Sequence, residues 1–402
     1  MDYEQGIVLL ENAIKGFHGK FKKMYGQMAV RIDDASYLST GGNKLLAEIS
    51  SDDFELCDIN SGDLGEIFRA RKDFNAIIFG CSPDTVSAST AFNSISSSLE
   101  DLAVLTGPKL KIVSDSSPES IMNALSDSNV CLIKGAGAIA ACSNLRKAVA
   151  GIQIVQKACE AENHGRFIGG TVALDPEVAT AARKSFREDY VKRNEESHVV
   201  FIGFDEEEFA LRSQLIEYGK DLIRHDLAYG AWGNLSVKLN DEEMLITPSS
   251  MDYFDIKPED IVRVNINTLE YGDQRVPSSE APMHAALYKS RNDASAIIHT
   301  HSNAISVFAA CEKGFALQDP AMKDLIGDIL ITEPAPSGSD LLAKVVCDAM
   351  QDTHACIIPH HGAVFYGPSL DLVFAIAEAV ELKARKLLSY DEFDPYADVL
   401  DE

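Results

Sequence analysis

The chain has 402 residues, 46% apolar and 24% charged, the proportions of an ordinary globular protein with material for two domains of about 150–200 residues. Its 62 acidic and 36 basic residues leave a net charge of −26, which argues against nucleic acid or anionic membranes as partners. A small anionic substrate stays open, because a metal ion and local backbone dipoles can overcome the global field.

The opening MDYEQGIVLLENAIKGF reads as an acidic-led amphipathic helix over Tyr3–Phe17 rather than a signal peptide. Short strands follow around Met28–Ile32 and Tyr37–Ser39, then a helix at Asp63–Lys72 and a strand at Ala76–Phe79. Ser117 caps a helix over Pro118–Leu125, with proline at its first position, ahead of a strand at Val130–Ile133. Leu145–Glu160 is a long helix, HGRFIGGT a loop, and Pro176–Arg193 a charged helix. A boundary near 195–205 divides the chain into domains 1–198 and 199–402.

The second half restarts with a helix at Glu206–His225 and strands in AWGNLSVKL, EMLITP and Ile261–Asn265. A helix at Glu280–Arg291 leads to the strand Ala296–His299 and a further helix over Ser302–Cys311. SGSDLLAKVVCDAM carries a serine cap before a helical pattern, ACIIPHHG is a strand and turn, and Leu370–Leu388 closes the domain. The tail SYDEFDPYADVLDE is acidic. Eight cysteines, none in a CxxC pair, read as free thiols of a reducing compartment. No apolar stretch approaches the ~18 residues of a membrane span, so a cytoplasmic protein is expected.

The halves repeat one plan. Asn75–Ser82 (NAIIFGCS) aligns with Ser295–Ser302 (SAIIHTHS) at an offset of 220, and Val130–Ala138 (VCLIKGAGA) with Ala355–Ala363 (ACIIPHHGA) at 225. Gly26–Arg31 (GQMAVR) aligns with Gly233–Lys238 (GNLSVK) at 207. Three matches in the same order predict a duplication. Opposite His299, His301 and His361 stand Phe79, Cys81 and Ala136, so the first copy keeps the apolar frame and lacks the polar site.

Residues i and i+2 of a strand share a face, so His299 and His301 project together while Thr300 points away. Six of the ten histidines lie between 284 and 361, and Pro359-His360-His361-Gly362 follows another strand-like run. His299, His301 and the histidine beside Gly362 would form a three-histidine zinc site with one position open. His284, His354, His225, His18, His164 and His198 are read as ordinary hydrogen-bonded structure. Pro277-Ser278-Ser279-Glu280 offers hydroxyls and free N–H groups for an anion at a helix start, with Glu280 at its edge as a proton carrier. Gly233-Asn234 and Thr247-Pro248-Ser249-Ser250 are two further segments suited to anions.

Taken in order, GNLS, ITPSS, SSE, HTH and HHG resemble the class II aldolase/adducin family, across Gly233–Gly362 and, in degenerate form, the first half. The resemblance implies an α/β fold of two α/β/α layered domains, each with a central, mainly antiparallel sheet. It implies Zn2+, or another divalent transition metal, on His299, His301 and His361, with Glu280 as the acid/base that also approaches the metal. Gly233, Asn234, Ser249, Ser250, Ser278 and Ser279 would hold the substrate phosphate. The implied activity is a lyase that cleaves a small phosphorylated ketose, with no lysine Schiff base. Family members form four-fold rings, so a homo-oligomer is expected: two chains in a pseudo-four-fold ring, or a tetramer. Two departures stand out. Ser250 replaces the glycine of the family's phosphate loop, and Asn303–Pro359 lacks the tyrosine that fuculose-type aldolases place there. Relatives with the same site act as dehydratases, decarboxylases or epimerases, and adducin-type scaffolds lose the ligands that this second half keeps.

Overall fold

The computed structural model describes residues 2–17, 19–42, 44–185, 203–272 and 275–388. Contacts divide the chain into two compact units: Met1–Arg166 with Ala173–Lys184, and Phe167–Val172 with Ser185–Glu402. The expected boundary falls mostly on residues 186–202, outside the described residues. So do His18, His198, the far end of the helix expected over Pro176–Arg193, and the tail SYDEFDPYADVLDE.

In the first unit the described strands are β1 (Tyr25–Arg31), β2 (Ser36–Thr40), β3 (Lys44–Leu45), β4 (Phe54–Asp58), β5 (Ala76–Cys81), β6 (Ser94–Ser96), β7 (Lys109–Val113), β8 (Val130–Ile133) and β9 (Gly137–Cys142). They form a sheet in the order β4-β2-β1-β5-β9-β8-β7-β6, with β3 paired to β1. In the second unit β10 (Asn234–Lys238), β11 (Glu243–Ile246), β12 (Val262–Asn265), β13 (Ala296–Thr300), β14 (Leu330–Ile331), β15 (Ala355–Ile358) and β16 (Gly362–Gly367) follow the order β12-β11-β10-β13-β16-β15-β14. The path from β4 to β7 repeats strand for strand from β12 to β14. In each unit the described pairs are antiparallel except one, β7 with β8 in the first and β14 with β15 in the second.

Strand register carries the repeat to single residues. Gln27 lies opposite Phe79 and Phe79 opposite Ile139; Asn234 lies opposite His299 and His299 opposite Val364. These pairs reproduce the sequence offsets of 207, 220 and 225. A one-residue slip would exchange the two faces of a strand, so this agreement extends to which side chains face which layer.

Helices cover both faces of the second sheet. Ala281–Ser290 and Asp340–Ala349 pack on one face, where Met283, Leu287, Leu342 and Val346 share a core with Met244, Ile297, Cys356 and Val364. Leu370–Leu387 and Asn303–Ala310 pack on the other, against β13, β15 and β16. Alternation along β13 therefore sends Ile297 and His299 toward the first pair of helices and Ile298 toward the second.

Two expectations change. Glu280 is the residue before the helix Ala281–Ser290, with φ −94° and ψ 9°, and makes no capping hydrogen bond. Of the strands that were not anticipated (β3, β4, β6, β7, β9, β14 and β16), β9 and β16 pair with the central strands β5 and β13. Both are buried along their whole length, and such a run shows no alternation to mark it as a strand. All eight cysteines are free, five of them buried. Among the described residues no helix is long and apolar enough to cross a membrane.

Candidate active site

β13 ends at the centre of the second sheet, where His299, His301 and His361 each turn one ring nitrogen to a common point. The three nitrogens lie within 4.8 Å of one another. His299 arrives from β13 and His301 from the position just past its end, and His361 from the turn between β15 and β16, which β13–β16 pairing places beside Thr300. His299 Nδ1 lies 3.0 Å from the Ala363 carbonyl oxygen. A carbonyl only accepts, so Nδ1 carries a proton, and whenever the ring is neutral Nε2 is left with its lone pair facing inward.

Glu280 approaches from the helix side. Its carboxylate oxygens lie 3.2 Å from His299 Nε2 and 3.0 Å from His361 Nε2. Asn234 Nδ2 donates to it at 2.8 Å and Ser337 Oγ at 3.4 Å. Burial pushes the Glu280 carboxyl up. The positive charge available on His299 and His361, with hydrogen bonds from His361 and Asn234, outweighs this and holds it well below the ordinary carboxylate range. Its failure to cap its own helix follows: the carboxylate is committed to the histidines.

Three buried imidazoles converging on one point beside a buried carboxylate form a donor set that could hold a cation. The inward lone pair fixed on His299 makes a divalent ion fit this donor set.

One family model, described as the class II aldolase and adducin N-terminal domain, matches residues 16–162 and again 213–388. The chain belongs to the class II aldolase and adducin family. It is 30% identical over 202 residues to a 5-deoxy-D-ribulose 1-phosphate aldolase of Bacillus thuringiensis serovar kurstaki, covering 46% of this chain and 93% of that protein. It is 33% identical over 187 residues to an L-fuculose phosphate aldolase of Haemophilus influenzae, covering 44% and 84%. A solved L-fuculose 1-phosphate aldolase is 34% identical over 46% of this chain and 88% of its own, with a TM-score of 0.43.

The residues expected to bind anions fall in three segments, with Asn234 opening β10. Gly233 has φ +74°, and a Cβ there would stand 2.8 Å from the His299 carbonyl oxygen, so glycine is required twice over. Asn234 follows opposite His299 and, besides its bond to Glu280, has a buried Oδ1 with no partner among the described residues. The Ser249 and Ser278 segments are laced together: Ser249 N donates to the Val276 carbonyl at 2.9 Å and Ser278 N to that of Thr247 at 3.1 Å. Ser250 holds φ +62°, the backbone that favours glycine, which accounts for the glycine usual in this family loop. Ser278 is buried and its Oγ accepts from Glu280 N at 3.3 Å, whereas Ser279 is exposed.

Sequence reasoning missed Ser337 and Trp232. Trp232, the one tryptophan of the chain, stacks at a tilt on His301 with ring centroids 5.5 Å apart. Its rarity beside GNLS was the available signal; Ser337 had none. Of the remaining histidines, His354 approaches Asp293, His225 Glu378 and His164 Asp84. His360 turns to Glu312.

His284 is fully buried, with Nδ1 2.7 Å from Ser236 Oγ, which also meets the Tyr288 hydroxyl at 2.7 Å. Burial is the main cause that lowers it to about 3, with Glu280 pulling the other way. An unfolded histidine titrates near 6.5, so between these values the unfolded chain holds a proton that the folded chain lacks. The stability due to this neutral imidazole is complete above pH ~6.5 and falls by about 1.4 kcal/mol per pH unit below it. Urea unfolding at pH 5, 6 and 7 checks this. H284Q, whatever it costs at pH 7, is expected to show a slope shallower by about one proton.

Proposed function

We propose that the second unit is a zinc-dependent lyase of the aldolase type that cleaves a small phosphorylated ketose. The first unit is then a structural copy without a metal site, and the protein works as a homo-oligomer, either a two-chain pseudo-four-fold ring or a tetramer. The observation that carries the reading is the buried Glu280 carboxylate in contact with two of three converging imidazoles. The relatives named above, aldolases of phosphorylated sugars, supply the substrate class.

A divalent ion held by His299, His301 and His361 would polarise the substrate carbonyl and stabilise the charge released by carbon–carbon cleavage. The chain's own residues do the rest. Glu280, ionised at rest, carries the proton: one carboxylate oxygen takes it from the substrate hydroxyl that becomes the aldehyde carbonyl and returns it to the carbon left negative when the bond breaks. Asn234 and Ser337 fix the carboxylate's orientation, and the Asn234 Oδ1 is available to a substrate hydroxyl. The hydroxyls of Ser249, Ser250, Ser278 and Ser279, with the Gly233 backbone, would receive the phosphate. The sequence lacks a tyrosine over Asn303–Pro359, which favours a second reading in which the same site dehydrates, decarboxylates or epimerises a sugar phosphate or acid.

A panel of ketose 1-phosphates given to zinc-loaded protein separates the two. Cleavage is expected to release dihydroxyacetone phosphate, read by its coupled reduction. A product that keeps its carbon chain but has lost water or inverted a centre, or has lost carbon dioxide, would replace the lyase with the second reading.

A further inference from the structure

We propose that His360 and Glu312 are positioning residues of the metal site: a side-chain clamp that holds the turn presenting His361. The inference rests on the metal-site reading above.

Both residues adopt the left-handed backbone, His360 at φ +62° and Glu312 at φ +50°, without being glycine or asparagine. Such strain persists only where the surroundings impose it, and it clusters at functional sites. The two strained residues meet. His360 Nε2 lies 3.0 Å from Glu312 Oε1, with the imidazole only 9% exposed. Their backbones converge as well: His360 N donates to the Ala309 carbonyl at 3.0 Å and Glu312 N to the same oxygen at 3.3 Å.

The helix Asn303–Ala310 begins two residues after His301, and just past its end it meets the turn that carries His361. It therefore spans from one candidate ligand to another. At its start, the Glu381 carboxylate accepts from Ala304 N at 2.9 Å and Ile305 N at 3.1 Å. Both ends are fixed, so the clamp sets His361 relative to His301.

The first unit is an internal control. Gly135 occupies the position of His360, with φ +68°, and its N–H donates to Ser89 Oγ at 3.0 Å; Ser89 stands where Ala309 does. The docking of turn onto helix end is thus common to both units, and the fold asks only for a left-handed turn, which glycine meets without strain. Opposite Glu312 the first unit has Phe92 at φ −118°. The strained pair occurs in the unit with three histidines and not in the unit where Phe79, Cys81 and Ala136 replace them. The first unit keeps the left-handed turn without the pair, so the pair accompanies the three histidines rather than the turn itself.

The test compares parent, H360G, E312Q and the double variant. Zinc affinity is read by competition with a chromophoric chelator, cobalt binding by quenching of Trp232, and the melting temperature of each metal-free protein is recorded. H360G is expected to melt at or above the parent, because glycine relieves the backbone, and yet to bind zinc about 10–100-fold more weakly, as losing an outer support of a ligand does. E312Q should weaken zinc in the same direction, and the double variant should be no weaker than H360G. Parent-like zinc affinity in H360G overturns the proposal. So does a loss of affinity that only follows a lowered melting temperature, which would assign the pair to the fold. A parent that binds neither metal overturns the metal-site reading itself, a result distinct from both.

Discussion

Replacing Glu280 by glutamine is expected to lower kcat by a factor of about 10^2–10^4, the usual worth of a positioned proton carrier, with zinc still bound. Glutamine keeps the shape and can still accept the Asn234 hydrogen bond, which in the parent spans 2.8 Å. It cannot hold and return a proton, so the loss should fall on kcat rather than KM. Elemental analysis of the same preparation separates the proton step from the site. E280Q with one zinc and near-parent kcat would remove Glu280 from the chemistry. E280Q without zinc would make the carboxylate part of the ion's binding, a role its contacts of 3.2 and 3.0 Å to His299 and His361 also allow.

The second large effect belongs to His361. The parent should carry about one zinc per chain, and H361A close to none. A structural zinc site releases ~10–16 kcal/mol over four ligands, so one ligand accounts for about 2.5–4 kcal/mol, roughly 10^2–10^3-fold in affinity, enough for the variant to lose its ion to a chelator that the parent withstands. Turnover is expected to fall with the metal and to stay low when zinc is added back at parent-saturating levels. A well-folded parent that carries no metal after preparation with zinc in excess would remove the lyase reading and favour a non-catalytic scaffold of the adducin kind. Two ions per chain would place one in the first unit, where Phe79, Cys81 and Ala136 offer only one thiol among them.

The sheet and the histidines differ in how far sequence reaches them. The duplication was visible in three short alignments because each preserves a strand, and strand pairing then reproduced their offsets at Gln27–Phe79 and Asn234–His299. β9 and β16 were hidden by the same physics that makes them central: buried on both faces, they carry no alternating pattern. Ser337 reaches Glu280 across 57 positions, and nothing in PSGSD announces that contact.

By itself the sequence determined what depends on neighbours along the chain. The two-residue period of a strand puts His299 and His301 on one face. Serine and proline at Ser117-Pro118 start a helix, and Ser339 starts another. Tertiary structure decided what depends on register between distant strands. Pairing of β13 with β16 brings His361 to the pair, and a left-handed backbone turns His360 away to Glu312. The end of the helix at Ala281 sets Glu280 free to face the imidazoles instead of capping. These contacts join residues far apart in sequence, and only the packed sheet and its helices fix the angles at which their side chains meet.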